Sequence, residues 1–70
     1  MIDMNTLYRT RDGKPVRLLR IDDNERLCVH GIVTWPAIGD QEERWTIDGY
    51  QLDSMFPTDE DLVPLGEAQP

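Results

Sequence analysis

Two Asp-Gly dipeptides, Asp12-Gly13 and Asp48-Gly49, sit between β-prone runs and restrict this chain more than any other feature of it. Glycine tolerates the positive φ that a tight turn demands, so Asp-Gly between alternating apolar residues is a strong short-range hairpin signal. Leu7 to Arg11 and Pro15 to Ile21 read as two strands around the first turn. In the second run Val16 and Leu18 share one side whereas Leu19 and Ile21 share the other, a switch that fits a β-bulge or a strand covered on both faces. Arg26 to Trp35 is the longest β-prone stretch, with Leu27, Val29, Gly31, Val33 and Trp35 as the better core face. Gly31 marks a bend in it.

Pro36 to Gln41 ends that strand, and Glu42 to Ile47 supplies another before the second Asp-Gly turn. Tyr50 to Leu52 reads as the start of a short strand, and Leu62 to Leu65 pairs only as an edge because Pro64 has no N–H to donate. Pro57 to Leu62 resembles a single helical turn capped by Thr58, with acids in its first turn. The expected fold is mainly β: a small curled antiparallel sheet or SH3-like barrel of four or five strands, with at most one short helix. Val16, Leu18, Leu27, Val29, Val33, Trp45 and Ile47 are its expected core. Residues 1–65 form one domain on this reading, and 66–70 a frayed tail.

Seventy residues hold one core at most. A chain of this length buries roughly 60% of the surface its unfolded form exposes and rarely has more than about 3–5 kcal/mol of stability. A homodimer would add to that margin. No apolar run exceeds two or three residues, far short of the roughly 20 that a spanning helix requires, and the first residues have neither a basic nor an apolar signal region. A single cysteine, Cys28, excludes an intrachain disulfide. These features point to a cytoplasmic protein with no membrane association.

The charge is segregated. Residues 1–26 carry six basic side chains against five acidic ones, a net of +1, and from residue 27 onward Arg44 stands alone against nine acids, a net of -8. The overall charge of -7 repels a phosphate backbone at long range, so nucleic acid is a poor partner unless folding gathers the early arginines. An acidic surface suits a basic protein partner instead. The expected partner-binding residues are Trp35, Asp40, Glu42, Glu43, Asp59, Glu60 and Asp61. The competing reading is a nucleic-acid-binding barrel whose Arg9, Arg11 and Arg17 alternate along the first hairpin near Tyr8 and Trp35, as arginines and stacking rings do in single-strand binders.

Little in the sequence carries catalysis. Cys28 and His30 stand two residues apart, and the spacing of roughly 6–7 Å between i and i+2 in a strand makes a thiol–imidazole pair awkward. Structural zinc wants four ligands, and no other Cys or His exists. The expected state is a half-buried free thiol beside a surface imidazole. Asp22-Asp23-Asn24-Glu25 and Asp59-Glu60-Asp61 lack the alternating ligands and central glycine of a calcium loop. No phosphate loop or nucleophile elbow occurs. The chain is therefore not expected to be an enzyme or to bind a metal or cofactor.

The run Tyr8-Arg9-Thr10-Arg11-Asp12-Gly13-Lys14-Pro15-Val16-Arg17-Leu18-Leu19, with Trp45-Thr46-Ile47-Asp48-Gly49-Tyr50 and then Asp61-Leu62-Val63, resembles small uncharacterised proteins encoded by tailed phages and prophages. The resemblance covers about residues 8–63 and departs from that pattern in the acidic stretch around Asp53 to Asp59. It implies an accessory protein of the bacterial cytoplasm, and the expected function is a protein-interaction module that binds or inhibits a host protein. It implies no catalytic residues.

Overall fold

β-Branched, aromatic and leucine residues between glycine turns fold here into five strands and no helix among the described residues, which in the computed structural model are 1–52 and 56–65. The strands are β1 (Tyr8–Thr10), β2 (Pro15–Ile21), β3 (Val29–Trp35), β4 (Gly39–Trp45) and β5 (Leu62–Pro64). They form one antiparallel sheet in the order β4-β3-β2-β1-β5. The sheet curls without closing. Past the end of β4, Gly49 accepts a hydrogen bond from the Leu62 N–H at 2.9 Å, and Ile47 accepts one from the Ile2 N–H at 2.6 Å. Loop and N-terminal segment thus bridge the gap between the two ends of the sheet.

Both Asp-Gly dipeptides make the same turn. Gly13 N–H donates to Thr10 O at 2.9 Å and Thr10 N–H to Lys14 O at 2.9 Å; in the second copy Gly49 N–H donates to Thr46 O at 2.9 Å and Thr46 N–H to Tyr50 O at 2.8 Å. The glycines stand at φ of 97° and 92°, in the left-handed region that a side chain disfavours. In each, the threonine Oγ1 also accepts an N–H, from Lys14 at 2.8 Å and from Tyr50 at 3.1 Å. The shared spelling is Thr-x-Asp-Gly. The first turn joins β1 to β2, but the second leads into no strand: Tyr50 to Leu52 is irregular, contrary to the sequence expectation, because its backbone is drawn to the Asp61 side chain instead.

The bulge lies where the side-chain pattern switches. Val16, Leu18 and Ile21 face Val33, Gly31 and Val29, with the register shifting between Leu18 and Arg20. The extra residue, Leu19, restores Ile21 to the core face. Val29, Val33 and Trp45 are fully buried, and Ile2, Tyr8, Cys28 and Leu62 complete the core. Val16, Leu18 and Ile47 are only partly buried, packed against that core. Leu27 is half-buried and lies before β3, which begins at Val29 and not at Arg26. β4 starts three residues earlier than expected, at Gly39, because that glycine at φ 82° closes a short Pro36-to-Ile38 loop, and it ends two earlier, at Trp45.

Gly31 is forced by contact. A Cβ there would stand 2.9 Å from Arg17 O and 3.1 Å from the Trp45 ring. Truncating a fully buried tryptophan costs about 3–5 kcal/mol, the whole margin of a domain this small, so the close approach of ring to strand is where stability concentrates.

The expected helical turn from Thr58 to Leu62 is absent. Thr58 does act as a cap, but of an isolated turn: its N–H and hydroxyl bond the Asp61 carboxylate at 3.0 and 3.1 Å, and its Oγ1 accepts the Glu60 N–H at 3.2 Å. The following residues are taken into β5 by pairing with β1. The tail expected over 66–70 lies outside the described residues.

Candidate functional site

Alternation along the strands divides the sheet into a core face and an outer face. Arg9 faces Pro15, Arg17 faces Ile32, and Arg20 and Arg44 both face His30. These residues, with Glu42 opposite Ile32 and Asp40 opposite Thr34, occupy the outer face. On that face Arg9, Arg17 and Arg20 stand on β1 and β2, whereas β4 carries Asp40 and Glu42 together with Arg44, which lies near Glu25. Asp40 is held by the Thr34 hydroxyl at 2.9 Å. Glu43 alternates to the other side and is half-buried.

β4 is an edge strand seven residues long, paired with β3 alone among the described residues. The opposite edge differs. β5 is three residues long, ends in Pro64, and has its Leu62 N–H taken by Gly49. Beside β4 lies an open groove of about 580 Å³ whose lining includes Leu27, Glu42, Glu43, Arg44 and Leu52.

Two of the remaining acids expected to meet a partner, Glu60 and Asp61, are spent internally. Asp61 is 1% exposed. It accepts from Gln51 N–H at 2.8 Å, from Thr58, and from Arg11 Nη2 at 3.2 Å. Burial pushes its carboxyl up, but the Gln51 and Thr58 N–H groups and the Arg11 guanidinium outweigh that and hold it below its ordinary 3.8. Glu60 gives its carbonyl to Trp45 Nε1 at 2.8 Å and its carboxylate to Lys14 Nζ at 3.1 Å. Asp59 alone of the three is exposed, and its carbonyl accepts the Asp12 N–H. Trp35 is half-buried under the Lys14 ammonium, 4.0 Å from the ring centre.

The arginine reading loses one member. Arg11 is committed to Asp61 and, through Nε, to Thr58 O at 3.1 Å. Arg9 and Arg17 remain on one face, joined by Arg20, which the sequence reading did not single out although the bulge that brings it there was legible.

His30 is 3% exposed, not a surface imidazole, and Cys28 is 5% exposed rather than half-buried. The loop between β2 and β3 folds over the outer face, and Glu25 reaches His30 Nε2 at 2.9 Å and Arg44 Nη1 at 3.8 Å through one oxygen. Asp22, Glu25 and His30 bring potential metal-ligating atoms within 4.8 Å of one another. The Glu25 oxygen is already shared between an imidazole and a guanidinium, and Arg20 lies opposite His30, so the group works as a clasp holding the loop.

Among the described residues no helix is long and apolar enough to cross a membrane. No protein-family model, curated protein or solved structure matches the chain.

Proposed function

We propose that this protein is a small protein-interaction module whose acidic β4 edge engages a basic surface of a protein partner. The observation that carries the reading is the location of Asp40, Glu42 and Glu43 together on an edge strand, while Glu60 and Asp61 are consumed within the fold. Side chains on an open edge are already desolvated on one flank only, and three carboxylates there steer a basic surface toward them. The phage resemblance supplies the context of an accessory factor acting on a host protein in the bacterial cytoplasm. In a bacterial lysate, the native chain should retain a partner that 0.5 M salt releases and that the triple variant Asp40→Lys, Glu42→Lys, Glu43→Lys does not retain. Equal retention by the folded variant overturns the reading.

The placement of Arg9, Arg17 and Arg20 on one face favours a second reading, nucleic-acid binding. Labelled oligonucleotides at about 100 mM salt decide it, since non-specific binders reach roughly 1–100 μM. Micromolar binding abolished by Arg9→Glu with Arg17→Glu replaces the first reading by the second.

A further inference from the structure

We infer that β4 receives an extended, lysine- or arginine-bearing segment of its partner by strand addition, so that backbone pairing and charge act together. The inference rests on the protein-interaction reading and names its occupant and its mode. An edge strand presents a row of N–H and C=O groups with no partner, a template for another strand. Proteins blunt such edges with shortness, proline or a covering segment, and this fold does so at β5, which is three residues long, ends in Pro64 and is capped by Gly49. At β4 it does none of these among the described residues: seven residues, Gly39 to Trp45, run without proline or bulge in continuous register with β3.

What β4 has instead is charge, and the charge selects the occupant. A second copy pairing antiparallel about the strand centre would set Glu42 against Glu42, and like charges directly opposite are destabilising. A neutral or acidic strand gains nothing from Asp40, Glu42 and Glu43. A strand with basic residues opposite Asp40 and Glu42 gains a cross-strand pair at each, and long basic side chains have the Leu27 and Leu52 surfaces of the adjoining groove on which to lay their stems.

The probe is an eight-residue peptide alternating lysine with valine, with two companions: the same peptide with glutamate for lysine, and the same peptide methylated at alternate backbone nitrogens, prepared in both phases. Binding is read by titration, and backbone amide exchange is followed residue by residue over Gly39 to Trp45. The lysine peptide should bind and slow the exchange of alternate β4 amides. The glutamate peptide should not bind, one methylated phase should lose the protection, and Glu42→Lys should weaken binding roughly tenfold. Binding that both methylated phases retain, with no β4 amide protected, overturns strand addition while leaving an acidic docking surface in place. No binding by any lysine peptide overturns both. Concentration-dependent protection of β4 without peptide assigns the edge to a second copy and overturns the proposed occupant.

Discussion

Thr10–Lys14 and Thr46–Tyr50 close with the same two backbone bonds, the same left-handed glycine and the same threonine acceptor, yet they carry different loads. The first is a charged corner. Asp12 receives the Lys14 ammonium and the Thr10 hydroxyl, Lys14 also reaches Glu60 and covers Trp35, and the space around Gly13 is open. The second is an apolar corner. Gly49 has Ile2 Cδ1 at 3.2 Å and Leu62 Cβ at 3.4 Å from where a Cβ would stand, while Asp48 is exposed. Local sequence dictates the backbone of such a turn, and neighbours remote in the chain dictate what it contributes. The two are joined by one short segment: Asp61 O accepts the Arg11 N–H, its carboxylate the Gln51 N–H, and Leu62 N–H reaches Gly49.

Removing that joint should have the largest effect. Asp61→Asn replaces a buried carboxylate that accepts from four groups, and should cost on the order of 3 kcal/mol, close to the total stability of so small a domain. Urea unfolding should show the midpoint falling nearly to zero; a change under about 0.5 kcal/mol would mean the two corners are stabilised separately.

Next come the glycines, which test the contrast most directly. An alanine forced to positive φ costs roughly 1–2 kcal/mol, and crowding adds about 1–3 kcal/mol where the site is packed. Gly49→Ala should therefore lose about 3 kcal/mol and Gly13→Ala about 1–2 kcal/mol by thermal melting. Equal losses would show that the apolar neighbours of Gly49 move aside without cost.

The threonines should reverse the order. Thr10 is fully buried and makes two hydrogen bonds through its hydroxyl, to Lys14 N–H and to Asp12, whereas Thr46 accepts one from Tyr50. Thr10→Val should cost about 2 kcal/mol and Thr46→Val about 1 kcal/mol. A larger loss at Thr46 would place the greater hydrogen-bonding role in the apolar corner.

Acid provides the finest test. Asp12 is held below its ordinary 3.8 by Lys14 and then Thr10, and Asp61 is held below it as well. Carboxyls lowered on folding contribute stability that is present above the unfolded value and is lost as pH falls through the folded one. Stability should thus be level near neutrality and decline below about pH 4, with a shallower decline in Asp12→Asn. Lys14 is raised above 10.5, chiefly by Asp12, so its contribution is present below the unfolded value and goes as pH rises through the folded one. An acid limb unchanged in Asp12→Asn would remove the charged corner from the account.

A small antiparallel sheet of four or five strands, with a bulge as one of two readings of the Val16-to-Ile21 switch, was readable because period-two alternation, Asp-Gly and that switch are local signals. Val29, Val33 and Trp45 followed from the same alternation. What escaped was set by distant groups. Asp61 reads as one more solvated acid until Arg11, Gln51 and Thr58 are seen to converge on it, and Pro57 to Leu62 reads as a helix start until β1 claims Leu62. Ile2 enters the core through a backbone bond to Ile47 that no periodicity announces. His30 is buried because a loop crosses it. At the candidate site the acids of β4 were named in advance, but its edge position depends on strand order, which alternation does not reveal.

Trp45, fully buried, and Trp35, half-covered beneath an ammonium, occupy two different optical environments in one molecule. Trp45 should emit at short wavelength and resist acrylamide, whereas Trp35 should be quenched readily and respond to Lys14→Met. Trp35→Phe would leave a single tryptophan, buried in the core, its indole N–H bonded to Glu60 O, so that one emission spectrum follows the approach of the Thr58–Asp61 segment to the end of β4 as the chain folds.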